Sequence, residues 1–371
     1  MIGEYFSDSY AQAAERFRSV AVATGARLDQ LPLRTLSPDG ERLAVDIAWL
    51  GNRQPRRVLL HSSGLHGVEG FAGSAIQLRL LREKTLALPQ DGALILMHII
   101  NPYGMAWLRR TNENNVDLNR NFRGQDDAAA GAPREYHALD SFINPRTPPG
   151  PDFFYLRALL RVLRHGFPTL QRAIATGQYV YPQGLFYGGT QTEQGPALLE
   201  SWVCENLHSA EAVLGIDVHT GLGRRGRQTL FLETRQGGSD PNRLQAALGF
   251  PLVTVDSTSR AGYANLGGYG CALSRWLAPR RVDVVTEEFG TRSAVRVLYA
   301  LREENRWHFH GAGYGAHASK RRLKEAFYPT SSAWRRAVLE QGVAFATKAA
   351  AYLFGTTDID KVERGLQSAI S

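Results

Sequence analysis

The sequence predicts an α/β fold: a mixed, mostly parallel central sheet flanked by helices. Two observations carry that expectation. The runs Arg57 to His61 (RVLLH) and Ala93 to Ile100 (ALILMHII) are short and apolar, as buried strands of a parallel sheet are. Between them, Gly70 to Glu83 (GFAGSAIQLRLLRE) has helical periodicity, which completes a βαβ unit. Strand-like and helical runs continue to alternate further along the chain.

The remaining elements follow in order. Asp8 to Thr24 reads as an amphipathic helix, with Tyr10, Ala13, Ala14, Phe17 and Ala21 on one face and Gly25 at its stop. Leu43 to Leu50 alternates like a strand. Gly124 to Asp152 is rich in Gly, Pro, Asp and Ala without periodicity and reads as a long surface loop. Tyr155 to His165 is a helix ended by Gly166 and Pro168, and Tyr179 to Gly189 is a loop or short hairpin. Strands are expected at Ala212 to His219, Thr229 to Glu233, Leu252 to Asp256 and Val282 to Glu288, and a last helix at Ala333 to Phe354, closed by Gly355. No repeat, low-complexity tract or linker divides the chain. One domain over residues 1–371 is expected, with an inserted loop and helix region around 124–200.

At 371 residues and 43 % hydrophobic content the chain can bury a large core. Cys204 and Cys271 are too few for a disulfide framework, which points to a reduced compartment. The N-terminus lacks a basic segment followed by an apolar one, so no signal peptide is expected and the location is read as cytoplasmic. No run of about 18 apolar residues predicts a membrane span. The net charge of +8 comes mostly from arginine pairs spread along the chain. Without one basic run or a known module, this reads as a basic surface rather than a nucleic-acid interface.

Four scattered pieces carry chemistry: His66-Gly67-Val68-Glu69; Arg110 with Asp117-Leu118-Asn119-Arg120; Asp217-Val218-His219; and Thr286-Glu287-Glu288-Phe289. Two histidines and a carboxylate are what a catalytic zinc takes, leaving a fourth position open. His66 and Glu69 stand three residues apart in a strand-to-helix connection, a spacing that puts both on one side of a first turn. That spacing alone is common. His219 adds weight because it ends an apolar strand, at the carboxyl edge where open α/β sheets hold their sites. Asp217, two residues earlier, is positioned to orient a ligand histidine or to pair with a surface arginine. Arg109, Arg110, Asn119 and Arg120 supply donors suited to gripping an anion.

In this order, His-x-x-Glu, Asn-Pro-x-Gly, Arg-x-Asn, Asp-Leu-Asn-Arg-Asn-Phe, Asp-x-His and a late strand-borne glutamate, the chain resembles the zinc carboxypeptidase superfamily. It looks most like its bacterial carboxypeptidase-like branch, related to the succinylglutamate desuccinylase and aspartoacylase deacylases. The resemblance runs from about His61 to Glu288. It implies one Zn2+ per chain held by His66, Glu69 and His219, and a substrate carboxylate bound by Asn119 and Arg120. The oxyanion arginine would be Arg109 or Arg110, with the Arg-x-Asn spacing favouring Arg110. It implies Glu288 as general base through the Thr-x-Glu match, since strand alternation lets only one of Glu287 and Glu288 face the site. Tyr263, four residues before a Gly-Gly pair, resembles the mobile tyrosine of carboxypeptidases. The implied reaction is hydrolysis of an amide bond next to a free carboxylate, in a small peptide or an N-acyl amino acid; the alternative is a non-catalytic binding protein that keeps the fold and the metal.

The chain departs from the digestive carboxypeptidases at Gly270, where the floor of the side-chain pocket is expected, and in residues 124–189, which lie outside the shared core and are expected to narrow or cap the site. Elsewhere, His308, His310 and His317 read as packing and surface hydrogen bonding, and His61 and His98 as satisfied core histidines. Gly262 to Gly270 lacks the ending of a phosphate loop, no Gly-x-Ser-x-Gly occurs, and neither cysteine sits in a nucleophile motif.

Overall fold

The computed structural model describes residues 2–124, 131–233, 238–255, 268–312 and 317–355. Eight strands form one sheet in the order β1-β2-β4-β3-β5-β8-β6-β7. They are β1 (Arg27–Leu36), β2 (Arg42–Gly51), β3 (Arg57–Ser63), β4 (Gly92–His98), β5 (Ala212–Gly221), β6 (Gln228–Glu233), β7 (Leu252–Val255) and β8 (Arg281–Gly290). The central strands β4, β3, β5 and β8 run parallel, β6 also runs parallel to β7, and β1/β2, β2/β4 and β6/β8 are antiparallel. The expected mixed, mostly parallel sheet is therefore what forms.

Against one face lie α1 (Tyr10–Ala23), α2 (Gly70–Glu83), α8 (Pro241–Leu248) and α12 (Ser332–Phe354), sharing one apolar cluster. The other face is covered by α7 (Gln194–Asn206) and α9 (Tyr269–Trp276). A third cluster joins α4 (Arg134–Ile143), α5 (Phe154–His165), α6 (Phe167–Ala175), α10 (Ala294–His310) and α11 (Ala318–Phe327). The short α3 (Pro102–Ala106) follows β4.

The βαβ unit forms as expected, and α2 has the bounds read from the sequence. Strand β1 was not foreseen. It is an edge strand of half-buried and exposed residues carrying Pro32, a residue that edge strands tolerate and central ones do not. Residues 124–152 are not wholly loop, because α4 lies within them. Its buried Tyr136, Leu139, Phe142 and Ile143 recur at helical spacing, a pattern masked by the Gly and Pro on either side. In α5 the usual order is inverted. Leu156, Leu159, Leu160 and Leu163 are exposed, while Arg161 packs its guanidinium 4.1 Å from the centre of the Phe142 ring. His98 is buried, stacks on Phe17 and bonds Ser74, and His61 is buried beside Gln77; both are core residues, but His61 Nε2 and His98 Nδ1 have no hydrogen-bond partner among the described residues, so neither ring is fully satisfied. His317 caps α11 and stacks on Trp307.

Candidate metal centre

The site is built from the carboxyl ends of parallel strands. Beyond β3 the chain turns through His66 into a short 3-10 turn (Gly67–Glu69) that leads into α2. This turn packs closely on the segment after β4. A Cβ on Gly67 would lie 2.3 Å from the Gly104 Cα, so only glycine fits there. At the end of β5, His219 is the register partner of Glu288 on β8. Neighbouring positions in a parallel pair project to the same face, which puts the imidazole and the carboxylate side by side.

His66, Glu69, Arg110, His219 and Glu288 all line one cavity. Arg110 lies among them: Nη1 donates to Glu69 Oε1 at 2.5 Å, and Nη2 is 2.7 Å from His66 Nε2. Its ring neighbours are Phe186 and Phe327. Glu69 Oε2 accepts the backbone N–H of Thr220 at 3.0 Å and lies 3.6 Å from His219 Nδ1. Each imidazole has a buried carboxylate at its other nitrogen. Asp217 Oδ2 is 2.6 Å from His219 Nε2, and Ser62 Oγ holds Asp217 in turn. Asp117 Oδ1 is 3.3 Å from His66 Nδ1, although the two are not aligned as a hydrogen bond.

Burial, together with the positive charge of Arg110, His219 and Arg120, pushes His66 well below its ordinary pKa and keeps it neutral. Burial opposes the charge on His219, but Asp217 and Glu69 outweigh it and hold the ring well above its usual range. Glu288 is pushed up to about 7 by burial and by the nearby Glu69 carboxylate, while His219 and the Leu222 N–H at 2.7 Å pull the other way.

Do these residues suit a metal ion? Among the described residues, no three His, Cys, Asp or Glu side chains are arranged to hold one as they stand. The donor chemistry nonetheless fits. Two imidazoles and a carboxylate converge, each ring has an acidic partner at its far nitrogen, and a cationic guanidinium is lodged between Glu69 and His66. His66 Nδ1 is buried without a hydrogen-bond partner among the described residues. Loading a dication there requires Arg110 to withdraw from these two acceptors.

The other expected residues divide. Glu288 lines the cavity, whereas Glu287 points to the opposite face, bonded by Gln228 and raised to about 8 by burial. Asn119 and Arg120 also line the cavity. Asn119 Oδ1 accepts the Tyr269 N–H, and Arg120 donates to the carbonyls of Asn119 and of Ala175, the last residue of α6. Arg109 does not meet its expectation as a substrate contact. It is buried and turned away, with Nε 3.1 Å from Glu304 and Nη2 bonded to Asn115 and Asn305. Burial works against the Glu304 charge, yet Arg109 and Lys320 hold its pKa below normal. Tyr263 lies outside the described residues. Gly270 is buried in α9. The role of Asp117 beside His66 was not foreseen. Its signal was its place at the head of Asp-Leu-Asn-Arg, seven residues after Arg110.

Residues 6–341 match the sequence family described as "Protein of unknown function (DUF2817)". A comparison with curated protein sequences returns no match. Among solved structures, the chain is similar to thrombin activatable fibrinolysis inhibitor, with 12 % identity, a TM-score of 0.52 and coverage of 96 % of this chain and 76 % of that one. It is also similar to the bovine thrombin-activatable fibrinolysis inhibitor in complex with tick carboxypeptidase inhibitor, at 12 % identity and a TM-score of 0.52, covering 94 % and 98 %. The succinylglutamate desuccinylase of Chromobacterium violaceum matches at 13 % identity and a TM-score of 0.42, over 92 % and 74 %. At these identities the likeness is one of fold, and the fold is the carboxypeptidase-like α/β sandwich.

Proposed function

This chain belongs to the DUF2817 family, and we propose that it is a zinc-dependent hydrolase cleaving an amide bond next to a free carboxylate. The observation that carries the reading is the convergence of His66, Glu69, His219, Arg110 and Glu288 on one cavity at the carboxyl edge of the sheet. His66, Glu69 and His219 would hold one Zn2+ per chain. Bound there, the ion would lower the pKa of a water and polarise the amide carbonyl.

The rest of the chemistry belongs to the chain's own side chains. Glu288, next to His219 and close to neutrality in charge preference, takes the proton of the attacking water and returns it to the leaving amine. Arg110, withdrawn from Glu69 and His66, donates to the oxygen that becomes negative as the carbonyl is attacked. Asp217 fixes the ring orientation of His219 by its 2.6 Å contact. Asn119 and Arg120, at the same cavity, bind the substrate carboxylate and set its register. The products are a carboxylic acid and an amine.

The test is metal analysis of the purified protein alongside a hydrolysis screen of dipeptides and N-acyl amino acids. The reading expects about one zinc per chain and turnover that a chelator abolishes and zinc restores. A protein that binds no zinc, or hydrolyses none of these amides when loaded, would sink it.

A further inference from the structure

The cavity extends well past its polar end, for a total of about 250 Å3, and beyond the reactive groups its lining is mainly apolar, with Arg161 and Gln171 as the polar members. Leu139 and Phe142 of α4, Leu170 and Ile174 of α6, and Leu298 and Leu301 of α10 line it. Resting on the reading of the site as an amide hydrolase, we infer that this extension is a subsite for a large apolar arm of the substrate. The arm would be an aromatic group or a medium-length hydrocarbon chain attached close to the scissile amide.

Three observations support the assignment. The first is size: the cavity's total of about 250 Å3 includes its polar end, and an apolar space of about 150 Å3 is enough to take a benzene-sized group. The second is polarity. Arg161, which borders the cavity, lies over the Phe142 ring at 4.1 Å and donates to the Arg157 carbonyl at 3.1 Å, leaving Gln171 among otherwise apolar α4, α6 and α10 side chains on this part of the lining. The third is continuity. The same cavity is bounded by Glu69, His219 and Glu288 at one end and by the α4, α6 and α10 side chains at the other, and Arg120 is tied to α6 through Ala175 at 2.6 Å. A ligand with a polar head and an apolar arm matches that gradient, as ligand sites of mainly apolar lining with a few convergent polar groups do.

The arm could be the acyl chain of an N-acyl amino acid or the side chain of the amino acid itself. Both present the same chemistry to these walls, so two probe series separate them. N-acetylglycine is compared with N-octanoylglycine in one, and N-acetylglycine with N-acetylphenylalanine in the other. Binding is measured by calorimetry on the full chain held in chelator, where no turnover interferes, and then kcat/KM is measured on the zinc-loaded protein. Each methylene that reaches the subsite tightens binding by about fourfold. At least one series is therefore expected to show a gain of tenfold or more, with a negative heat-capacity change. Leu298→Gln and, separately, Leu170→Asn should erase that gain while leaving N-acetylglycine binding as it was. Two variants are used because one alone can fail by unfolding. Binding of all three probes within twofold, or a gain that survives in both folded variants, would overturn the subsite. If the gain appears and no amide is hydrolysed, the subsite stands and the hydrolase reading falls. If short substrates are hydrolysed without any gain, the reverse holds.

Discussion

His219 and Glu288 are register partners across β5 and β8, and the two side chains meet at the same cavity wall. One-residue alternation along β8 sends Glu287 to the other face, where Gln228 bonds it. The Glu288 carboxylate and the His219 imidazole are thereby fixed by sheet geometry rather than by a loop.

Glu288→Gln is expected to lower kcat by about 10²–10⁴ while zinc content stays near that of the wild type, because it removes a proton acceptor and leaves the three expected ligands in place. Zinc analysis and steady-state kinetics on the same preparation check this. An active Glu288→Gln beside an inactive Glu287→Gln would mean that the register assignment of the base is wrong.

Arg110 sets up a competition, since it donates to Glu69 and contacts His66, the acceptors a metal would need. Arg110→Ala should therefore bind zinc as tightly as the wild type or more so, in titrations against a chromophoric chelator. Turnover should nonetheless drop by about 10²–10³ through loss of a donor to the developing oxyanion. If zinc affinity collapses together with activity, Arg110 is holding the ligands in place rather than competing for them.

How much of this was legible in the sequence depended on burial. Strands β3 and β4 were readable from their apolar buried runs, Val58 to Leu60 and Ala93 to Met97, and helix α2 from apolar residues recurring at helical spacing. The edge strand β1 was hidden by its half-exposed positions and Pro32. His66, Glu69, His219 and Glu288 stood out because each follows or ends an apolar strand. Arg109 and Arg110 could not be separated that way. Adjacent arginines look alike until Glu304, 195 residues away, is seen to take one of them. The apolar extension of the cavity was equally invisible, since it forms only when α4, α6 and α10 meet.

Arg120→Ala should weaken kcat/KM for free-acid substrates by at least about tenfold without loss of zinc, as removal of a charge-assisted contact to a carboxylate does. Amidating the substrate carboxylate should mimic the mutation in the wild-type enzyme. Equal cleavage of the amidated and free-acid substrates would mean that Asn119 and Arg120 serve another purpose.

Glu287 gives a pH-dependent expectation for stability. Burial raises its pKa to about 8 from an ordinary 4.5, so between those values the folded chain retains a proton that the unfolded chain has lost. Stability falls with rising pH wherever the folded state binds more protons. Glu287→Gln removes this loss, so its melting temperature should exceed that of the wild type by a margin that widens from pH 5 to pH 8. A gap that is constant or narrows over that range would show that Glu287 is charged in the fold.

The inverted helix α5 has an energetic consequence. Only Phe154 and Ala158 of its twelve residues are buried, compared with eleven of fourteen in α2. Few apolar contacts hold it down, and segments of that kind open locally at a small fraction of the global unfolding free energy. Amides of α5 should accordingly exchange with deuterium sooner than those of α2 or α12, by about an order of magnitude or more. Since Ala158, Arg161 and Val162 of α5 border the cavity, this weakly anchored helix is also part of its wall. The exchange rate of α5 would then set an upper limit on how often that side of the cavity opens to solvent.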